Sequence, residues 1–68
     1  MTNISVVIPT YNAESFITNT IDSVINQTLK PYEIIIVDDG SIDKTCHVVK
    51  TLINKHRSIN FKLIEQHI

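Results

Sequence analysis

The run Glu33-Ile34-Ile35-Ile36-Val37 passes directly into Asp38-Asp39-Gly40-Ser41. Consecutive β-branched apolar residues suit a strand buried on both faces, as in a parallel sheet. The two carboxylates, turn glycine and helix-starting serine that follow place polar chemistry at the end of that strand. Ile4-Ser5-Val6-Val7-Ile8 is a second run of the same kind, and Pro9-Thr10-Tyr11-Asn12 follows it as Asp38-Asp39-Gly40-Ser41 follows the other. Two buried strands, each ending in a polar turn, constrain this chain more than any other feature.

The segments between them read as helices. Ile17, Ile21, Val24 and Ile25 fall at the i, i+4, i+7, i+8 spacing of one helix face. The spacing predicts a helix from Ala13 to about Thr28, with Asn19, Asp22, Ser23 and Asn26 on its polar side. Pro9, unable to donate to a ladder, is expected to end the first strand. Thr10-Tyr11-Asn12 is then a loop, with Asn12 as N-cap and Glu14 in the first helical turn, where negative charge is favoured. The helix should end before Pro31, and Leu29-Lys30-Pro31-Tyr32 leads into the second strand. A second helix is expected from about Ile42 to His56, with Ser41 as N-cap, Asp43 in its first turn, and Val48, Val49, Leu52 and Ile53 as its apolar stripe. Arg57-Ser58-Ile59-Asn60 reads as a turn and Phe61-Lys62-Leu63-Ile64 as a third, less buried strand. The order β-α-β-α-β predicts an α/β fold with a Rossmann-like parallel sheet. In such a sheet the loops after the first two strands leave by the same edge. If those strands are neighbours, they lie about 4.8 Å apart, and the two polar turns face one another where ligands of open α/β sheets bind.

The whole chain bounds the possibilities further. Its 68 residues make at most one small domain, hiding only about 60% of the surface its unfolded form exposes. Cys46 is the single cysteine, so no disulfide forms within the chain, which fits a reducing compartment. The net charge of −1, with six scattered basic residues, argues against a nucleic-acid binder driven by phosphate contacts. Met1-Thr2-Asn3 lacks the basic start of a secretory signal, and no stretch approaches the roughly 20 apolar residues of a membrane helix.

Several ligand chemistries drop out. A Rossmann dinucleotide site needs Gly-x-Gly-x-x-Gly after the first strand, whereas this chain has Pro9-Thr10-Tyr11-Asn12 there and one glycine in all. The P-loop pattern and the serine nucleophile elbow are absent. No Cys/His spacing suits zinc; His47, His56 and His67 are dispersed and read as surface residues. What remains has a physical logic. Tyr11 can offer a flat face to a base. Asp39 can accept a hydrogen bond from a base N–H such as the imide of uracil. Asp38 can orient the loop or contact a ribose hydroxyl, Gly40 permits the tight turn, and Glu14 can line the rim. Each has a plainer alternative. The strand-end acids can serve only the next helix, Tyr11 can cover the first helix, and Glu14 can serve the helix dipole alone. Asp43 and Thr45 read as structural, helping to start the second helix, and Cys46 as a small buried or half-buried residue, not a reactive thiol.

Taken together, Ser5-Val6-Val7-Ile8-Pro9-Thr10-Tyr11-Asn12, Ala13-Glu14, Ser23-Val24-Ile25-Asn26-Gln27-Thr28 and Glu33 through Thr45 resemble the N-terminus of family 2 glycosyltransferases. The resemblance runs from about Ile4 to Glu65, and its motifs are specific as a set. It implies the N-terminal half of a GT-A fold and transfer of a sugar from a nucleoside diphosphate sugar, often a UDP-sugar, with inversion at the anomeric carbon. It maps the nucleoside contacts onto Pro9, Tyr11, Glu14 and Asp39, with Thr10 and Asp38 as secondary candidates. The family's Asp-x-Asp metal motif and catalytic base lie further downstream than any residue here, so the divalent cation (Mg or Mn) expected for the full-length enzyme has no ligands in this chain. Asp38-Asp39 is not that motif. Gln66-His67-Ile68 departs from the family's continuation.

On this reading residues 1–68 are a partial glycosyltransferase domain, the nucleotide-sugar-binding portion, inactive alone. The reading implies no nucleic acid, an unknown acceptor, possible association with a missing C-terminal part, a role in polysaccharide biosynthesis, and a cytoplasmic location, at the inner face of a membrane for a full-length protein. The alternative is a non-catalytic uridine-nucleotide-binding module. A phosphoacceptor signalling domain ranks lower, because it expects an acidic pair after the first strand, where this chain has Pro9-Thr10-Tyr11-Asn12.

Overall fold

The computed structural model describes residues 4–27 and 33–66. Five elements follow in the order β1 (Ser5–Thr10), α1 (Ile17–Ile25), β2 (Glu33–Asp39), α2 (Thr45–Lys55) and β3 (Phe61–Gln66). The described strands form one sheet in the order β1-β2-β3. Both pairings are parallel, with Ile8 opposite Ile36 and Ile36 opposite Leu63. The first two strands are therefore neighbours, and their C-terminal turns share an edge.

Strand alternation sorts the side chains. Ile8, Ile34 and Ile36 point to one face, where they form a buried cluster with Ala13, Ile17, Ile21, Val49 and Leu52. Both helices thus cover the same side of the sheet. At about 25 cal/mol per Å² of buried apolar area, this cluster is the main source of stability. Val48 and Ile53 of the expected α2 stripe, together with Phe61 and Leu63, pack around it partly buried. On the other face Val7 and Ile64 remain 57% and 46% exposed, so β1 is buried on one face and not on both as its apolar run led one to expect, because both helices cover the same side. β3 is the least buried strand, as expected from its composition.

Several element boundaries differ from expectation. Pro9 does not end β1, which runs on through Thr10. β1 is an edge strand of the described sheet, and an edge strand tolerates a residue without an N–H. Helix α1 begins at Ile17 rather than Ala13, with Phe16 and not Asn12 at its N-cap. Asn12 has φ +50°, a left-handed geometry that asparagine tolerates better than most residues and that takes it out of the helix. Glu14 consequently lies before α1, and the first turn of that helix holds no acid. Helix α2 begins at Thr45, not Ile42, with Lys44 at the cap position. Ser41 and Asp43 are drawn instead into bonds with the strand end and the opposite loop. Helix α1 ends at Ile25, short of the expected Thr28; Thr28 itself, the link Leu29-Lys30-Pro31-Tyr32, and His67 lie outside the described residues.

Candidate functional site

Asp38 and Asp39 are adjacent in sequence and opposite in environment. The alternation of β2 turns Asp38 toward the helix side, where it is 2% exposed, and Asp39 toward the open side, where it is exposed. The Asp38 carboxylate is occupied. Its Oδ1 accepts from the Thr10 hydroxyl at 2.7 Å and the Ser41 hydroxyl at 2.6 Å, and its Oδ2 from the Ser41 N–H at 2.9 Å. Burial by itself raises the Asp38 pKa. The hydrogen bonds from Ser41 and Thr10 outweigh it and hold the group at about 2, because each bond is made to the ionised form. Of the two roles open to Asp38, orienting the loop is the one these bonds perform.

Thr10 is buried with its hydroxyl committed to Asp38. Tyr11, the next residue, is 61% exposed. Pro9, also exposed, points to the same face of the sheet as Asp39. Gly40 has φ +73°, a conformation that costs glycine nothing and other residues strain. It lets the chain reverse from β2 so that Ser41 reaches back to Asp38. Among the described residues, Asp39 makes no side-chain hydrogen bond. The sheet edge thus presents Pro9, Tyr11 and Asp39 outward, above a layer in which Thr10, Asp38 and Ser41 satisfy one another.

Glu14 is exposed but engaged: its Oε1 accepts from the Lys44 N–H at 3.0 Å. Its own N–H donates to Asp43 Oδ2 at 3.2 Å. Asp43 Oδ1 accepts from the Thr45 N–H at 2.9 Å and from the Thr45 hydroxyl. The Thr45 hydroxyl bond, despite some opposing desolvation, lowers the Asp43 pKa. Thr45 Oγ1 in turn accepts from the Ala13 N–H at 2.8 Å. Asn12 donates its N–H to Ser41 Oγ at 2.8 Å and accepts from the Ile42 N–H through Oδ1 at 2.9 Å. Asn12 and Ser41, expected as helix caps, are instead partners of each other's loops. The only signal of this in the sequence was the supply of short polar side chains, which readily bond nearby backbone.

Cys46 is half-buried and free. Burial, reinforced by the nearby carboxylates of Glu65 and Asp38, pushes its thiol up to about 12. His56 is not the surface residue expected: it is half-buried, and its Nε2 has no hydrogen-bond partner among the described residues. A shallow depression of about 410 Å³ beside Ile53, Arg57 and Phe61 lies at the opposite end of the strands from the paired loops. No group of three or more His, Cys, Asp or Glu able to hold a metal occurs among the described residues. Asp38 and Asp39 do not form a chelating pair, because one faces the helices with its oxygens bonded and the other faces away. No helix among the described residues is long and apolar enough to cross a membrane.

A parallel β-α-β-α-β sheet with both helices on one face and two polar loops at one edge is the Rossmann-like arrangement of the N-terminal half of a GT-A fold. The chain belongs to glycosyl transferase family 2, whose model matches residues 5–68. It is 43% identical over 65 residues to a dolichyl N-acetyl-alpha-D-glucosaminyl phosphate 3-beta-D-2,3-diacetamido-2,3-dideoxy-beta-D-glucuronosyltransferase of Methanococcus voltae, covering 93% of this chain and 20% of that protein. It is 38% identical over 56 residues to an uncharacterized glycosyltransferase of Haemophilus influenzae, covering 82% of this chain and 22% of that one. Crystal structures of S. aureus TarS 1–349, one of them in complex with UDP, superpose with a TM-score of 0.77 at 34% identity, covering 97% of this chain and 19% of that crystallised chain. The chain therefore spans about a fifth of the length of these relatives.

Proposed function

We propose that these residues form the nucleoside end of the donor site of an inverting glycosyltransferase. The enzyme would transfer a sugar from a nucleoside diphosphate sugar, a UDP-sugar, to an acceptor hydroxyl. Tyr11 stacks on the base, Asp39 accepts from the base imide N–H, Pro9 bounds the base from the first strand, and Glu14 lies at the rim. Thr10 and Asp38 act beneath, holding the loops. The observation that carries this reading is the contrast between Asp38 and Asp39: one carboxylate is consumed by the fold, and its neighbour is presented at the sheet edge with no side-chain hydrogen bond among the described residues, at the same edge as the exposed Tyr11. The similarity to a structure bound to UDP supports the choice of nucleotide.

In the complete reaction an acceptor hydroxyl attacks the anomeric carbon, a base removes its proton and the nucleoside diphosphate leaves. Residues 1–68 contain no Asp-x-Asp, so on this reading the Mg²⁺ or Mn²⁺ that stabilises the departing diphosphate, and the base, would be supplied by residues other than these. Use of a nucleotide sugar and a free Cys46 thiol fit a cytoplasmic site of action, at the inner face of a membrane in a longer protein.

Titration of UDP against the isotopically labelled 68-residue chain tests the reading. Chemical shifts of Tyr11 and Asp39 should move at millimolar UDP, and Asp39→Ala should weaken the response by about tenfold, the loss of one hydrogen bond to a buried partner. No shift at millimolar UDP would remove the binding claim. A transfer assay on the same chain should show no turnover. Binding without turnover is also what a uridine-nucleotide-binding module gives, and an Asp-x-Asp in the coding sequence beyond Ile68 would decide for the transferase.

A further inference from the structure

The two loops at the sheet edge are bonded to each other across about thirty positions of sequence. Three successive backbone N–H groups, those of Asn12, Ala13 and Glu14, donate to side chains of the second loop: Ser41 Oγ, Thr45 Oγ1 and Asp43 Oδ2. Two bonds return, from the Ile42 N–H to Asn12 Oδ1 and from the Lys44 N–H to Glu14 Oε1. The residues that present outward stand between anchored neighbours. Tyr11 lies between Thr10, bonded to Asp38, and Asn12, bonded to Ser41. Asp39 lies between Asp38 and the Gly40-Ser41 turn, whose serine is bonded back to Asp38.

We infer that Asn12 and Asp43 are positioning residues: they hold the Tyr11 loop and the Asp39 loop in one fixed relation, so that a nucleoside meets a site already ordered. This deepens the donor-site reading and rests on it. Asn12 does so by adopting the left-handed conformation that aims its N–H and its Oδ1 at the same turn. Asp43 does so by dividing its two oxygens, Oδ1 to Thr45 in its own loop and Oδ2 to Glu14 in the other. Loops ordered before binding lose less conformational freedom on binding.

The chemistry dictates the variants. In Asp43→Asn the shape is kept, yet whichever way the amide turns, either the Glu14 N–H or the Thr45 N–H meets an NH₂ group. In Asn12→Gly the left-handed backbone is kept without steric strain while the Oδ1 acceptor is lost and the loop backbone gains freedom. UDP titrated by chemical shift against wild type and both variants should show about fivefold to tenfold weaker binding for each variant. Amide exchange should quicken at Tyr11 and Asp39 and stay unchanged at Ile21 and Ile36. In an Asp39→Ala background the Asn12→Gly loss should shrink to less than about twofold, since one of the two contacts whose relation it fixes is gone.

Variants that bind UDP like wild type would overturn the positioning role and leave the donor-site reading standing. So would a loss equally large with and without Asp39. A wild type that shows no response to millimolar UDP removes both. Should Asn12→Gly fail to fold, the isosteric Asp43→Asn decides the question.

Discussion

Thr10 and Asp38 sit opposite each other in the β1–β2 register, and the Thr10 hydroxyl donates to Asp38 Oδ1 at 2.7 Å. The bond ties the last residue of one strand to the strand end that carries the acidic turn. Thr10→Val keeps the shape and removes the donor. It should lower stability by about 1–2 kcal/mol, the cost of leaving a buried carboxylate short of a partner, measured by urea denaturation.

The neighbouring acids should separate cleanly under isosteric substitution. Asp38→Asn replaces an acceptor with an NH₂ group facing the donors of Ser41 and Thr10, and should cost about 2–3 kcal/mol. Asp39→Asn alters an exposed group with no internal partner among the described residues and should lie within about 0.5 kcal/mol of wild type. Equal effects at the two positions would contradict the assignment of one acid to the fold and the other to a ligand.

Acid should unfold the chain partly through Asp38. Its folded pKa, about 2, lies below the ordinary 3.8, so its contribution is fully present above 3.8 and is lost as pH falls from there through about 2. The size is on the order of 2 kcal/mol. Asp43 is lowered in the same direction by its bond from Thr45. A stability profile between pH 5 and 2 should therefore slope downward with acid, and the slope should flatten in Asp38→Asn.

Gly40 isolates a purely conformational cost. A Cβ added there would meet the Gln66 carbonyl oxygen at 3.5 Å, an ordinary contact, while φ remains +73°. Gly40→Ala should destabilise by about 1–2 kcal/mol from the left-handed backbone alone. Gly40→Asn, better suited to that conformation, should lose less.

Cys46 should be slow toward thiol reagents. With its thiol pushed up to about 12 by burial and by its carboxylate neighbours, little thiolate exists at pH 8, and the thiolate is the reactive form. Labelling of the folded chain should run at least about tenfold slower than in urea.

The strand and helix types were legible along the chain because each rests on local periodicity. Ile34 through Val37 could hardly be anything but a buried strand, and Ile17, Ile21, Val24 and Ile25 had only one helical face to occupy. The sequence also brought Pro9, Tyr11, Glu14 and Asp39 forward as candidates, through their place after the two strands and their family resemblance. Helix starts were less legible. A short polar residue before an apolar stripe reads as an N-cap, yet Asn12 and Ser41 found better partners in each other's loops than in the helices that follow them.

What the sequence determined by itself is the alternation of elements, the apolar stripes that supply most of the core, and the presence of polar turns after both apolar strands. These depend on spacing over a few residues. What only the tertiary structure decided is the division of labour at the shared edge: Asp38 turned inward and bonded to Thr10 and Ser41, Asp39 turned outward, and Asn12, Glu14, Asp43 and Thr45 interlocked. Those partners are about thirty residues apart in the chain. A hydrogen bond forms only once the parallel register of β1 and β2 brings donor and acceptor within 3 Å or so of each other, and no local pattern of residues encodes that meeting.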